Sequence, residues 1–210
     1  EISCAFYNEP SSKLRMIGIT GTNGKTTTSF MIREILRAAG MKPGLIGTIS
    51  YDIGDRSIPA ARTTPEAPEI QSMLDQMVSS GCRSAVMEVS SHALDQKRTW
   101  GIDFDAAVFT NLTPEHLDYH HTMQRYFAAK LQLFRGIGSM EKRSTAAINI
   151  DDAWGMELAN TQGLRAMLVT YGLHPSAMVR AEQVEVSDHG CACVVDSPWF
   201  QGPLHLQLVG

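Results

Sequence analysis

Short apolar runs alternate with segments of helical periodicity along most of the chain. The apolar runs predict strands, and they lie at residues 16–20, 42–48, 84–89, 106–110, 146–150 and 166–170. The amphipathic segments predict helices, and they lie between Thr26 and Gly40 and at residues 68–81, 126–134 and 154–160. This alternation is typical of βαβ units arranged around a mainly parallel sheet.

The pattern changes after residue 179. Residues 179–186, 191–196 and 204–209 predict three antiparallel strands, joined by turns at residues 188–190 and 197–203. We therefore predict an α/β fold, a three-layer αβα arrangement with a small antiparallel β appendage near the C-terminus.

A glycine-rich turn follows the first predicted strand. Residues 21–27 read Gly-Thr-Asn-Gly-Lys-Thr-Thr and lead directly into a predicted helix. Gly21 and Gly24 allow backbone N–H groups to approach phosphate oxygens, Lys25 supplies a charge, and the Thr26 hydroxyl can bind Mg²⁺. The alternative is an ordinary strand–turn–helix. The common kinase and GTPase pattern has a glycine at the position of Ile19, so this P-loop-type turn is a shortened variant.

Two further polar clusters follow predicted strands, at residues 88–92 and 110–116. The carboxyl ends of parallel strands meet at one edge of a sheet, so we expect both clusters to face the glycine-rich turn. Glu88 could hold a hard cation there or lie in solvent. His120 and His121 are interpreted as surface histidines. Lys130, taken by itself, has the position of a snorkelling lysine in an apolar helix.

Composition narrows the classes of function. The chain is 43% apolar and 19% charged with a net charge of −4, which does not favour binding to nucleic acid or to an anionic membrane. No apolar run approaches the roughly 20 residues that span a bilayer, and no signal peptide is visible. Four cysteines without zinc spacing favour reduced thiols and a cytoplasmic location. Because the chain begins with Glu1, we expect a piece of a longer protein.

Several of these segments together resemble the Mur ligases, the ATP-dependent amide-forming enzymes of peptidoglycan precursor synthesis. Within that family they are most similar to the branch that adds the third amino acid. The segments that carry the resemblance are residues 21–27, Thr63-Thr64-Pro65, residues 87–94, Asn111, residues 116–120 and residues 128–130.

The resemblance implies a role for each matching residue. The residues implied to bind ATP are Gly21, Thr22, Asn23, Gly24, Lys25, Thr26, Thr27 and Asn111. Two Mg²⁺ ions are implied, one held by Thr26 and Glu88 and the other by Glu88, His116 and a Lys130 carbamylated by CO₂. The implied catalytic residues are Lys25, Glu88, His116 and Lys130. The residues implied to bind UDP-MurNAc-dipeptide are Thr63, Thr64, Ser90, Gln96 and Arg98.

The resemblance also implies how the chain is organised. Residues 1–14 correspond to a linker from an N-terminal domain, and residues 15–210 correspond to the central ATP-binding domain without its last helical part. The implied partners are ATP, the nucleotide-linked dipeptide, an amino acid, and the missing N- and C-terminal domains of the same protein. The amino acid is either meso-diaminopimelate or L-lysine.

Three alternatives remain. One is another ligase of the superfamily, of the cyanophycin synthetase or folylpolyglutamate synthase type. Another is a nucleotide-binding module without ligase activity. A kinase or GTPase with a phosphate loop is disfavoured by the shortened turn and by the absence of a guanine-reading Asn-Lys-x-Asp sequence.

Overall fold

A central strand carries the glycine-rich turn in the computed structural model, which describes residues 2–138 and 142–208. This strand, β1 (Arg15–Thr20), pairs in parallel with β5 (Ser84–Glu88) on one side and with β6 (Ala106–Phe109) on the other. The three strands end at the same edge of the sheet. The polar residues that follow them are therefore brought together, as the sequence predicts.

The described residues form one eleven-stranded sheet with the order β11-β10-β9-β8-β7-β6-β1-β5-β2-β3-β4. The strands on the β5 side are β2 (Pro43–Ile46), β3 (Ser50–Ile53) and β4 (Arg56–Pro59). The strands on the β6 side are β7 (Thr145–Asn149), β8 (Met167–Gly172), β9 (Val179–Ser187), β10 (Gly190–Asp196) and β11 (Gln201–Leu206). Both outermost strands contain a proline, Pro59 in β4 and Pro203 in β11.

Helices cover both faces of the sheet. They are α1 (Ile2–Phe6), α2 (Lys25–Ala38), α3 (Ala67–Ser79), α4 (Ser91–Asp95), α5 (Leu117–His120), α6 (Met123–Gly136) and α7 (Ala153–Ala159). On one face, α2 packs Phe30 and Leu36 against Ile19 of β1. The larger cluster on the other face includes residues from α3, α4, α6 and α7. None of the helices in the described ranges is both long and apolar enough to cross a membrane.

The predicted fold class is confirmed. The three C-terminal strands do pair as an antiparallel group, but β9 also pairs in parallel with β8, so the group continues the main sheet. Residue 209, the last of the predicted strand 204–209, lies outside the described residues. The β3–β4 hairpin and the short helices α1, α4 and α5 are not predicted from the sequence, because they are too short to show clear periodicity.

The first residues pack against the rest of the chain. Cys4 of α1 is buried, and its thiol donates to the carbonyl oxygen of Gly101. The Ser11 hydroxyl, in a 3₁₀ turn at Pro10–Lys13, accepts a hydrogen bond from the Asp103 N–H group. The assignment of residues 1–14 to an interdomain linker stays a prediction.

Candidate nucleotide and metal site

The glycine-rich turn after β1 needs glycine at two positions. Gly21 has φ +148° and Gly24 has φ +83°, a region that other residues rarely adopt. A Cβ atom on Gly21 would also overlap the Thr110 hydroxyl oxygen. The turn can therefore hold its shape only without side chains at these positions. Its N–H groups lie at the start of α2, where the helix dipole favours an anion.

The end of β6 holds the turn in place. The Thr22 N–H group donates to the Asn111 carbonyl oxygen at 2.9 Å, and the Asn23 N–H group donates to Asn111 Oδ1 at 3.0 Å. The Thr110 hydroxyl donates to the Asn23 carbonyl oxygen at 2.7 Å. Asn111 therefore supports the turn in this structure, whereas the resemblance assigns it to ATP.

Lys25 folds back over the turn. Its Nζ donates to the carbonyl oxygens of Gly21 at 3.0 Å and Thr22 at 2.7 Å. Burial lowers the pKa of Lys25, and the nearby Glu88 and Glu115 act in the opposite direction. A phosphate group at the turn would give this amine a charged acceptor in place of two carbonyl groups.

Glu88 is the buried carboxylate of the site, with 0% of its surface exposed. Its Oε2 accepts hydrogen bonds from the hydroxyls of Thr26 and Thr48, each at 2.9 Å. Its Oε1 accepts from the Thr48 N–H group at 3.1 Å and from the Ser29 hydroxyl at 3.4 Å. Within the described ranges, no ion pair involves Glu88. A buried carboxylate with only neutral donors fits a site for a cation.

Lys130 is buried rather than snorkelling, with 2% of its surface exposed. Its Nζ donates to the Gly21 carbonyl oxygen at 2.9 Å and lies 4.6 Å from the centroid of the Tyr126 ring. Burial, with a further contribution from Lys25, lowers its pKa from 10.5 to about 7. A large fraction of this amine is therefore neutral at neutral pH, as capture of CO₂ requires.

Three histidines cluster beside the turn. His116 has φ +55°, and its ring lies 4.8 Å from the His92 ring and 6.1 Å from the Tyr126 ring. His120 was interpreted as a surface residue, and this is wrong: 4% of it is exposed, and its Nε2 lies 2.9 Å from the Ser91 hydroxyl oxygen. Burial lowers the pKa of both His92 and His120.

The residues assigned to the nucleotide-linked dipeptide lie along a second segment of the same edge. The Thr64 hydroxyl donates to the Glu88 carbonyl oxygen at 2.9 Å and accepts from the Ser90 N–H group at 3.0 Å. The Ser90 hydroxyl caps α4. The Arg98 guanidinium donates to the Thr64 carbonyl oxygen at 3.1 Å and also to the side chain of Gln96.

A cavity of about 360 Å³ lies between the glycine-rich turn and Thr63, the one dipeptide-assigned residue that lines it. Its lining consists of Thr22, Asn23, Gly24, Lys25, Thr26, Thr27, Thr48, Thr63, Glu115 and His116. Thr48 also lines the cavity, and the sequence does not predict this because an isolated threonine after a short strand belongs to no motif. A separate cavity of about 410 Å³ lies near the amino end of β6 and contains none of the predicted site residues.

The structure thus brings the turn, Thr26, Glu88, Thr63 and His116 together. The described part of the chain contains no cluster of three or more His, Cys, Asp and Glu residues suited to a metal. This agrees with the implied ligand set, in which only Glu88 and His116 belong to those residue types. The Lys130 amine hydrogen-bonds to Gly21 and not to Glu88. The second metal site therefore stays a prediction.

The fold and the turn define an α/β protein of the phosphate-loop class. The family model described as the Mur ligase middle domain matches residues 19–210. The chain therefore belongs to the Mur ligase family and contains that family's middle domain.

Relatives and solved structures agree with this assignment. The chain is 44% identical over 211 residues to UDP-N-acetylmuramoyl-L-alanyl-D-glutamate--2,6-diaminopimelate ligase from Geobacter metallireducens, covering 99% of this chain and 41% of the relative. A solved structure of a ligase with the same name is 31% identical, with a TM-score of 0.80, over 94% of this chain and 40% of that one. The chain spans about two fifths of the length of these relatives.

A third comparison bears on one of the alternatives. Folylpolyglutamate synthase from Mycobacterium tuberculosis is 15% identical, with a TM-score of 0.69, over 92% of this chain and 49% of that one. Similarity at this level shows a shared fold alone. It does not favour this alternative over the diaminopimelate ligases.

Proposed function

We propose that this chain is the nucleotide-binding part of an ATP-dependent ligase of peptidoglycan precursor synthesis. The enzyme joins 2,6-diaminopimelate to UDP-MurNAc-L-alanyl-D-glutamate in the cytoplasm. The observation that carries the proposal is the buried Glu88, hydrogen-bonded to the Thr26 hydroxyl at the start of α2. A carboxylate and a hydroxyl beside a phosphate-binding turn are the groups that a metal–nucleotide complex needs. The names of the relatives supply the substrates.

The turn would bind the ATP phosphates. The N–H groups at the start of α2 would donate to phosphate oxygens, and Lys25 would exchange its two carbonyl acceptors for phosphate oxygens. Thr26 and Glu88 would hold one Mg²⁺ ion, which neutralises phosphate charge when bound. Lys25 is therefore expected to stabilise the negative charge that moves between the phosphate groups during transfer.

Lys130 would act as a carbamate. A neutral amine adds to CO₂, loses a proton and becomes an anionic oxygen ligand, which suits a hard cation. The lowered pKa of Lys130 favours this addition, because the reactive form of the amine is the neutral one. Together with Glu88 and His116, the carbamate would complete the second Mg²⁺ site.

The reaction proceeds in two transfers. A carboxylate oxygen of the dipeptide attacks the γ-phosphorus of ATP, the bond to the β-phosphate oxygen breaks, and ADP leaves. The amine of diaminopimelate then attacks the acyl carbon of the resulting acyl phosphate. Phosphate departs, the amine loses a proton and the amide forms. Thr63, Thr64, Ser90, Gln96 and Arg98 would position the dipeptide, and Arg98 offers paired donors to an anionic group.

The test uses the full-length protein with ATP, Mg²⁺ and UDP-MurNAc-L-alanyl-D-glutamate. We expect phosphate release and a product of matching mass with meso-diaminopimelate, and little or no product with L-lysine. Release of phosphate without an amide product would favour a nucleotide-binding module or a nucleotide hydrolase. A product formed only with a folate or a cyanophycin primer would assign the protein to another branch of the superfamily.

A further inference from the structure

The turn at Gly47-Thr48 fits closely around the Glu88 carboxylate. A Cβ atom on Gly47 would lie 2.5 Å from Glu88 Oε1, so only glycine allows the backbone to approach this far. The next residue, Thr48, donates both its N–H group and its hydroxyl to the same carboxylate, at 3.1 and 2.9 Å. Thr48 is itself exposed to the cavity. It therefore borders both the buried carboxylate and the space where ligands would bind.

The hydroxyl groups around Glu88 form a chain with a fixed direction. A carboxylate can only accept, so the Thr48 proton points to Glu88 Oε2. The Thr63 hydroxyl lies 3.0 Å from the Thr48 hydroxyl and must therefore donate to it. On the other side, the Thr26 hydroxyl donates to the same Oε2. One continuous path thus runs from Thr26, at the phosphate-binding turn, through Glu88 and Thr48 to Thr63.

We propose that Thr48 is a positioning residue that couples the nucleotide site to the dipeptide site. The inference rests on the proposed function, since it assumes ATP at Thr26 and the nucleotide-linked dipeptide at Thr63. A ligand that holds the Thr63 side chain in one rotamer also fixes the direction of its hydrogen bond to the Thr48 hydroxyl. The Thr48 hydroxyl in turn fixes the orientation of the Glu88 carboxylate. A metal–nucleotide complex that binds the Glu88 carboxylate affects Thr63 through the same two hydrogen bonds, Glu88–Thr48 and Thr48–Thr63. By linkage, each ligand then changes the affinity for the other by the same factor.

The test measures this factor in the full-length protein. The dissociation constant of Mg²⁺ with a non-hydrolysable ATP analogue is determined by calorimetry, with and without saturating UDP-MurNAc-dipeptide. We expect a ratio of about 5 or more in the wild type, which is the lower end of common coupling factors. Thr48→Val keeps the branched shape and removes the hydroxyl, so the ratio should fall to near 1. Thr48→Ser keeps the hydroxyl and should restore it.

Two further variants sharpen the result. Thr63→Val breaks the next bond of the path, so it should lower the ratio as Thr48→Val does, and the two changes together should add little. Thr161→Val is the matched control, because the Thr161 hydroxyl donates to the backbone carbonyl oxygen of Glu157 in α7, outside the path. This control should keep the wild-type ratio. If Thr48→Val did not fold, Thr63→Val would decide the question alone.

The failures of the two proposals can be distinguished. A wild-type ratio near 1 in an enzyme that forms product overturns the coupling and leaves the function standing. If Thr48→Val and Thr63→Val both keep the wild-type ratio, the coupling is likewise overturned and the proposed function stands. A wild-type protein that binds neither ligand, or binds both and forms no product, overturns the proposed function instead.

Discussion

The amine of Lys130 donates a hydrogen bond of 2.9 Å to the carbonyl oxygen of Gly21, in the glycine-rich turn after β1. The two residues are 109 positions apart, and Lys130 lies on α6 while Gly21 follows β1. The Tyr126 ring, one helical turn before Lys130, packs against the same amine, and its hydroxyl lies 3.2 Å from the Thr22 hydroxyl. Helix α6 therefore contributes directly to the shape of the turn.

The first prediction concerns pH and the stability of the chain. Lys130 has a pKa of about 7 when folded, and an ordinary lysine pKa applies when unfolded. Between these values the unfolded state binds more protons, so stability rises with pH across that window. Relative to Lys130→Met, the free energy of unfolding of the wild type should rise by up to about 1.4 kcal/mol per pH unit from pH 7 upward. Denaturant titrations in CO₂-free buffer measure it.

The difference between wild type and variant isolates this one group, because all other titrations are shared. Parallel stability curves from about pH 7 to 10 would mean that Lys130 keeps an ordinary pKa in the folded state. They would also remove the argument that a neutral amine is available for CO₂.

The second prediction concerns the carbamate. In the full-length protein, Lys130→Ala should lower turnover by at least about 100-fold, the scale expected when a group that stabilises transition-state charge is lost. Added short carboxylic acids should restore part of the activity by supplying an anionic ligand in the space left by the side chain. Isotope-labelled bicarbonate should give a carbamate signal in the wild type with Mg²⁺ and nucleotide. Wild-type turnover in Lys130→Ala would contradict the ligand role.

The third prediction concerns Lys25. In the full-length protein, Lys25→Ala should lower ATP-dependent phosphate release by about 100-fold or more, because the variant loses the charge that we propose faces the phosphates. The melting temperature should change little, since the amine binds only two carbonyl groups of its own turn. Lys13→Ala, an exposed lysine away from the turn, serves as the control. Unchanged release in a folded Lys25→Ala variant would remove the phosphate-binding assignment.

The fourth prediction separates two glycines. Gly21→Ala should destabilise the chain by about 1–3 kcal/mol and weaken nucleotide binding, because the new methyl group overlaps Thr110 and the backbone has positive φ. Gly136→Ala, at the end of α6, has no described atom within 4 Å of the new Cβ atom. It should be neutral or stabilising by up to about 1 kcal/mol. Equal melting temperatures for the two variants would contradict the steric argument.

The fifth prediction concerns the chain on its own. Residues 1–210 should bind Mg-ATP weakly and form no amide product. The chain spans only 41% of the length of its Geobacter relative, and the orientation of two substrates supplies much of the rate in such reactions. Phosphate release with a product of confirmed mass is the measurement. Turnover by this chain alone would show that its residues suffice for both substrates.

The sequence predicted the core of the fold because its strands are apolar and end in polar residues. The end of β5 at Glu88 and the turn after β1 carry local signals that do not depend on distant contacts. Burial does depend on such contacts. Lysine and histidine are residue types that usually reach solvent, and only the packing of α6 and α5 against the turn and α4 buries Lys130 and His120.

The position of Thr48 beside Glu88 could not be predicted from the sequence either. This contact depends on a carboxylate 40 positions away, and on Gly47, which leaves room for that carboxylate. The parallel pairing of β9 with β8 could not be predicted either, because it too depends on contacts between separate segments. It involves only Val179 and Arg180 at the start of β9, whereas the antiparallel pairing with β10 extends along the strand from Arg180 to Ser187.

The prolines in the two outermost strands bear on self-association. An open sheet offers unpaired N–H groups along its edges, and another chain can add a strand there. Proline has no backbone N–H group. Pro59 therefore leaves the last residue of β4 without a donor, and Pro203 does the same in the middle of β11. The eleven-stranded sheet of the described residues is therefore less able to grow by edge-to-edge addition of another chain. Replacing Pro203 would offer a docking template to unfolded neighbours and favour fibril-like aggregation.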